Sequence, residues 1–429
     1  MKKNYQTKTT AAMIVPDSVA IAMTDLAQEL REGLLALAVG TGLQVMDVLL
    51  EESVTALAGP KGRHDPDRTA VRHGHDEGSV TLGGRRVPVR RPRVRSADGA
   101  RELAVPAYEH FSSTEVLSRL AMEKMLAKLS TRRYRLGLEP VDERVEASAS
   151  STSRSVVSRR FVEATEHTLA ELLAGDLSKL DLVALMVDGV HFGDHVCVVA
   201  MGIDIAGRKH PLSITEGDTE NATVVRDLFV GLRDRGLDVT RPILVVIDGA
   251  KALASAVKAV FDHPVIHRCQ LHKIRNVESK LPKALAKTVT KKMRAIYHYD
   301  DALRSEAELE ELARQLQRSH PGAAGSLREG LGETLTVMAL KVPPTLSRTL
   351  RSTNAIESMI EICRDHSANV KRWRDGQMAL RWCAAGMVEA AKQFRKVNGF
   401  LHLPALRTAL DDYVERGVTP IEYNKEDAA

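Results

Sequence analysis

Two short runs of unbroken apolar residues, each closed by an Asp-Gly pair, constrain this chain more than any other feature. Residues 182–187 read LVALMV before Asp188-Gly189, and residues 243–247 read ILVVI before Asp248-Gly249. Runs of this length, rich in Val and bounded by turn residues, suit strands buried on both faces. Such strands need partners and covering layers. Residues 196–205 supply a second apolar strand and residues 208–214 a third, joined by short polar links that predict an antiparallel meander. A helix fits residues 223–235, another fits 251–260, and a short strand fits 264–266. Three strands followed by alternating helix and strand predict a mixed α/β sheet. From Lys273 to about Leu340 the pattern is helical only, Pro343-Pro344 interrupts it, and a last helical block covers about 354–410. The final nine residues, polar and acidic, read as a loose tail.

The first part of the chain has a different character. Residues 18–57 carry Leu26, Leu30, Leu34, Leu35, Val45, Val48 and Leu49 at helical spacing. A Gly-, Asp- and His-rich stretch follows, with His64, His73 and His75 expected in a solvated loop. Alternation at Val80, Leu82, Val87 and Val89 around Gly83-Gly84 predicts a hairpin. Residues 83–95 (GGRRVPVRRPRVR) hold Arg85, Arg86, Arg90, Arg91, Arg93 and Arg95 and no acid. Further clusters follow at Arg132, Arg133 and Arg135, and at Arg154, Arg159 and Arg160. Such patches can neutralise the phosphates of a nucleic acid, although a solvated surface explains any single run. Helices over residues 114–129 and 154–173, with a turn and a basic head between, suit a helix-turn-helix-like arrangement.

Composition excludes several classes. The 429 residues are 44% hydrophobic and 27% charged, which is globular rather than disordered. No apolar run approaches the roughly 18 residues that a membrane span needs. The cysteines, Cys197, Cys269, Cys363 and Cys383, form no CxxC pair, so reduced thiols and a cytosolic setting are expected. No GxxxxGK[ST] loop is present, so nucleotide-driven work has no support.

Asp188 and Asp248 stand at expected strand ends, where side chains leave the core yet stay rigidly held, and Glu357 opens a later helix. Carboxylates brought together stay ionised only beside a cation, and magnesium favours such oxygen ligands. Two such ions about 3.5–4 Å apart serve phosphodiester displacement. Each acid also has an ordinary reading: Asp-Gly is a common turn, and residues 354–357 have capping-box spacing.

Further motifs stand in order beside these acids. They are Val187-Asp188-Gly189-Val190, Gly202-Ile203-Asp204 with Gly207-Arg208-Lys209, and Glu216-Gly217-Asp218-Thr219-Glu220-Asn221. Then come Asp248-Gly249, Cys269-Gln270-Leu271-His272 with Arg275-Asn276, and Thr353-Asn354-Ala355-Ile356-Glu357-Ser358. This set closely resembles the bacterial mutator-type insertion-sequence transposases over about residues 180–365, and Ser130–Tyr134 (STRRY) looks like a further segment of that family. After Glu357 the mixed segment 360–366 departs from the family's usual basic run, and basic character resumes at Lys371, Arg372 and Arg374, which suggests a divergent branch.

The resemblance implies an α/β RNase H-like catalytic domain with an all-helical insertion, preceded by a mainly helical DNA-binding region. It implies catalytic and metal-binding roles for Asp188, Asp248 and Glu357, with two Mg²⁺ or Mn²⁺ ions. Cys269, His272 and Arg275 would support them. DNA contacts are expected at Arg85, Arg86, Arg90, Arg91, Arg93, Arg95, Arg132, Arg133, Arg159, Arg160, Lys371 and Arg372. The expected division is a helical region over 1–60, a basic region over 61–175, a catalytic domain over 180–365 with its insertion at about 273–345, and a helical end over 366–429. The expected partners are element terminal inverted repeats, target DNA and at least a second copy of the chain, with no membrane. A structure-specific nuclease without strand transfer and a non-catalytic DNA-binding protein are the competing readings. His263, His267, Cys269 and His272 could instead form a zinc cluster, and Trp373 and Trp382 could stack on a base, although packing is the simpler role for both.

Overall fold

A computed structural model describes residues 17–63, 65–141 and 143–417; His64 and the acidic tail lie outside them. The chain forms two compact units. One comprises Met1–Met125 and Leu129–Phe161, and the other comprises Leu126–Lys128 and Val162–Ala429.

The first unit opens with the long helix α1 (Asp17–Ala58), followed by β1 (Ala70–Leu82), β2 (Arg85–Ser96) and the short β3 (Glu102–Leu103), paired in that order. β1 and β2 form the hairpin expected from the alternation, with Leu82 opposite Arg85. Gly83 and Gly84 turn it with φ of 56° and 75°, the left-handed pair that a two-residue hairpin loop demands. Val54 and Ala58 of α1 pack on Ala70, Val94 and Val105 beneath it. His73 and His75 lie on β1 rather than in a loop, because the strand extends well upstream of the apolar alternation. Then come α2 (Pro106–Ser112), α3 (Glu115–Leu126), α4 (Glu143–Ser148) and α5 (Arg154–Ala174). The expected helix-turn-helix spacing is not met: a 3-10 turn at Tyr134–Gly137 and the short α4 separate α3 from α5.

The second unit is built on a five-stranded sheet. Its strands are β4 (Leu182–Phe192), β5 (His195–Asp204), β6 (Lys209–Glu216), β7 (Ile243–Ile247) and β8 (Pro264–Arg268), in the order β6-β5-β4-β7-β8. β4, β5 and β6 form the antiparallel meander; β7 and β8 add in parallel. The helices α6 (Ala222–Asp234) and α7 (Lys251–Val260) cover one face through Phe229, Leu232, Leu253 and Val257. A helix-only stretch follows: α8 (Gln270–Glu278), α9 (Lys283–Ile296), α10 (Ala302–Gln317), α11 (Pro321–Arg328) and α12 (Leu331–Ala339), with a core of its own. The other sheet face is covered by α13 (Pro344–Leu350), α14 (Asn354–His366), α15 (Gly376–Lys392) and α16 (Leu403–Glu415).

Two expectations about the acids change here. Asp188 is not at a strand end: β4 continues to Phe192 because β5 keeps pairing with it, with Asp188 opposite Val199. The turn instead comes at Gly193, φ 61°. Glu357 is not in a capping box, because Thr353 rather than Asn354 is the N-cap of α14 and makes no side-chain cap.

Candidate active site

Strand periodicity decides where the two aspartates point. Along β4, Leu185 and Val187 enter the core under α6 and α7, whereas Ala184, Met186 and Val190 enter the core under α14 and α15. Along β7, Val245 and Ile247 share the first face, and Leu244 and Val246 share the second. Side chains alternate with period two, so Asp188 and Asp248 both fall on the α14 side. β4 and β7 are parallel neighbours, and their last paired residues are Met186 and Val246. Each aspartate therefore stands two residues beyond that pair. α14 lies over the same face through Ile356, Met359 and Ile360 and carries Glu357.

Electrostatics link the three acids. Burial pushes the Asp188 carboxyl up to about 6. The Gly189 amide and His272 pull the other way, and the charges of Asp248 and Glu357 add to the rise. Asp188 accepts from the Gly189 amide at 2.8 Å, and Asp248 accepts from the Ala250 amide at 2.9 Å. Among the described residues no Lys or Arg pairs with Asp188, Asp248 or Glu357.

Glu357 is held by a small network. The hydroxyl of Thr353, fully buried, donates to Glu357 Oε1 at 2.6 Å. It also lies 3.4 Å from Cys269 Sγ and 3.4 Å from His272 Nδ1. His272 Nε2 is 3.9 Å from Glu357 Oε1. The hydroxyl has one proton and gives it to the carboxylate at the shortest distance. His272 Nδ1 can then meet its lone pairs, while Cys269 Sγ accepts from the Thr353 amide at 3.4 Å. The bond to Cys269 raises the His272 pKa against burial, and Asp188 and Glu357 add to the rise. Burial opposes the Cys269 thiolate, yet His272 and Thr353 together bring that thiol below its ordinary value. Cys269 is the N-cap of α8, placed directly after β8, which explains why a Cys-x-x-His spacing reaches the third acid.

The zinc arrangement with four ligands is not formed. Among the described residues, the group whose ligand atoms converge, within 4.8 Å of one another, is Cys269, His272 and Glu357, without His263 or His267 and also without Asp188 or Asp248. His263 is exposed. His267 is fully buried on β8 near the backbone of Arg351 and Glu333, and neither ring nitrogen makes a well-formed hydrogen bond.

Other candidate residues divide by burial. Arg85 is 4% exposed and bonds Glu146, at 2.7 Å, and the Gly83 and Glu139 carbonyls. Arg86 is half-buried against Ser79, Thr81 and the Ser112 carbonyl. Arg91 and Arg93 pair with Glu102 at 2.9 and 2.6 Å. Arg95 is half-buried. Much of the hairpin's charge is thus neutralised within the unit, while Arg90 is exposed without an ion pair among the described residues. Arg132, Arg133, Arg159, Arg275, Lys371 and Arg372 are exposed. Arg160 is half-buried and bonds the Ser151 carbonyl at 2.9 Å. Trp373 and Trp382 pack edge-to-face at 6.4 Å, and Trp373 meets Phe192 at 4.8 Å, so the simpler packing role holds.

Two residues of the quoted motifs have structural roles. Asp204 is buried and binds Arg208 Nε at 2.8 Å and His210 Nε2 at 2.9 Å, which locks the β5–β6 turn. Asn221 accepts from the amides of Thr223 and Val224 as the N-cap of α6. Thr353 was the residue missed at the site; its signal is its place one helical turn before Glu357.

Comparison with known proteins then decides the family. The model of the Mutator family of transposases matches residues 15–397. The chain belongs to that family. This Mutator-family chain is 26% identical over 368 residues to the transposase for insertion sequence element ISRM5 of Rhizobium meliloti (strain 1021), covering 85% of this chain and 89% of that protein. It is 29% identical over 273 residues to the transposase for insertion sequence element IS6120 of Mycolicibacterium smegmatis, covering 62% of this chain and 83% of that one. A third relative, the transposase for IS256 in transposon Tn4001 of Staphylococcus aureus, is 25% identical over 334 residues, with 75% and 82% covered. Among the described residues no helix is long and apolar enough to cross a membrane.

Proposed function

We infer that this Mutator-family transposase cleaves and joins DNA strands through a divalent-metal site made by Asp188, Asp248 and Glu357. The observation that carries this reading is geometric: Asp188 and Asp248 stand two residues beyond the last pair of the parallel neighbours β4 and β7, on the face that α14 covers and from which it brings Glu357; the raised Asp188 carboxyl is in keeping with it. Three carboxylates that act on one another, with His272 as the one positive partner that acts on Asp188 and Glu357, would suit hard divalent ions, so Mg²⁺ or Mn²⁺, two ions, fits the donor set. Bound there, such ions would supply Lewis-acid activation of the attacking oxygen and stabilisation of the leaving oxygen. The sheet order, with three antiparallel strands and two parallel ones beside the first, supports an RNase H-like assignment, and α8–α12 supply the helical insertion between the second and third acids.

The chain's own residues have distinct tasks. Asp188 lies on β4 and Asp248 directly after the end of its parallel neighbour β7, so their spacing is set by the sheet. Thr353 holds Glu357 by a short hydrogen bond, and Cys269 and His272 hold Thr353. His272, its proton affinity raised by this network, is placed to orient Glu357. In the first step water displaces one side of a phosphodiester and frees a 3′-hydroxyl. In the second, that hydroxyl attacks a target phosphorus in line, forming a new phosphodiester as the target's own 3′-oxygen leaves and takes up the proton, with positioning and electrostatics as the source of rate. The first unit, with Arg90, Arg132, Arg133 and Arg159 exposed, supports recognition of element ends, and joining two ends calls for at least two copies of the chain.

Asp188→Asn tests the assignment. The variant is expected to lose strand cleavage and strand transfer by at least about a thousandfold, as removal of a key electrostatic group does, while DNA binding persists in a gel-shift assay. Cleavage at the parent rate in saturating Mg²⁺ would reject Asp188 as a catalytic group.

A further inference from the structure

A cavity of about 340 Å³ opens beside the third acid, between α8, α9 and the start of α14. Its lining includes Arg294, Arg348 and Arg351, with Leu271 and Ile274 as an apolar floor. Its size is at the small end of ligand pockets, which run from about 300 to 1,000 Å³. No carboxylate lines it. Among the described residues, none of the three guanidinium groups makes an ion pair or a side-chain hydrogen bond. This contrasts with Arg268, which is paired with Glu333, and with Arg328, which is 2.9 Å from Glu310.

These arginines stand at helix ends, with Arg294 and Arg348 exposed and Arg351 half-buried. Arg348 lies in the last turn of α13 and Arg351 is its C-cap, whose carbonyl accepts from the Gln270 amide at 3.1 Å. Arg294 lies in the last turn of α9. Basic side chains at helix C-termini often serve only to complement the dipole. That role does not call for three of them around one concavity. Burial lowers the Arg351 pKa, and the neighbouring Arg348 charge lowers it further, so the two cations are held together at a cost. An anion entering between them would relieve it. Arginine forks match phosphate oxygens, and the apolar floor suits a sugar ring rather than a bare ion.

We propose that Arg294, Arg348 and Arg351 form a phosphodiester-binding pocket that holds the DNA strand as it leaves the acidic cluster. The location supports a strand rather than a separate metabolite: Ser352 and Asn354, which flank Thr353, belong to the lining, and Gln270 follows Cys269. The proposal rests on the reading of the three acids as the cleavage site only for which part of the DNA is held.

The test is DNA affinity of the full chain, measured with a duplex oligonucleotide in EDTA as a function of salt. Arg348→Ala and Arg351→Ala should each weaken binding several-fold and reduce the slope of log K against log salt by about 0.9 for each phosphate released. Arg351→Lys, which keeps the charge, should retain most of the slope. Arg314→Ala on the surface of α10, where Arg314 pairs with Glu311 at 2.8 Å, should change neither. Thermal melts establish that each variant is folded; if Arg351→Ala is not, Arg348→Ala and Arg351→Lys still decide the matter. Unchanged affinity and slope in folded Arg348→Ala would overturn the proposal. So would a loss confined to inorganic phosphate binding, read by thermal shift, because that outcome assigns the pocket to a small anion. Cleavage by Asp188→Asn is scored separately, so the acids can fail while the pocket stands, and the reverse.

Discussion

Identical residue types have opposite fates in this chain. Arg85 and Arg90 belong to one basic run, yet Arg85 is spent on Glu146 and two carbonyls while Arg90 faces solvent. A sequence shows the charge but not the partner that neutralises it, so the hairpin is less basic in space than in print. Thr353 illustrates the converse, a residue that looks like helix punctuation and becomes the hub of the third acid. Thr353→Val keeps the shape and removes the hydroxyl. A hydrogen bond to a charged group contributes about 1.5–3 kcal/mol, so cleavage should slow by about tenfold or more, with the Mg²⁺ requirement shifted upward. Thr353→Ser should restore both, and a metal titration of the rate distinguishes this from simple loss of folded protein. His267 gives a stability prediction. Burial lowers its pKa to about 4, against an ordinary value of 6.5. Between these values the unfolded chain binds the proton and the native one does not, so stability is full above about 6.5 and falls as the pH is lowered toward 4. Denaturant melts across that window should show a flatter dependence for His267→Leu.

At the scale of elements, sequence patterning was a reliable guide wherever burial is periodic. The apolar runs gave β4 and β7, the helix at 251–260 has the observed bounds of α7, and the helix-only stretch after Lys273 corresponds to α8–α12. It failed where an element is prolonged by its partner. β4 runs through Asp188-Gly189 because β5 continues to pair there, a fact about a neighbour rather than about the dipeptide. β1 likewise reaches back to Ala70 through polar residues. The third acid depends on how closely α14 can approach α15. A Cβ built on Gly386 would lie 2.8 Å from the Cα of Cys363, on α14. Gly386→Ala must therefore push the two helices apart. Overpacking of this kind costs typically about 1–3 kcal/mol. A lower melting temperature and slower cleavage are expected together, because the displaced helix is the one that bears Glu357.

On the scale of the whole molecule, the proposed function assigns chemistry and DNA capture to different residues, which a metal-removal experiment tests. Chelation by EDTA should abolish cleavage and leave most DNA binding, since exposed arginines need no metal; readdition of Mg²⁺ should restore cleavage. Binding that disappears with the metal would show that the ions, not the arginines, carry the affinity. The sequence by itself determined the strands, the helices and the family, because apolar periodicity and ordered motifs are properties of the chain read in one dimension. It also marked Asp188, Asp248 and Glu357, but could not say which side of the sheet the aspartates face. The tertiary structure decided that. Strand register turns Asp188 and Asp248 toward the face that α14 covers, and burial there, with no Lys or Arg pairing them among the described residues, makes their charges felt by one another. Pairing and burial are relations between distant segments, and no local pattern encodes them.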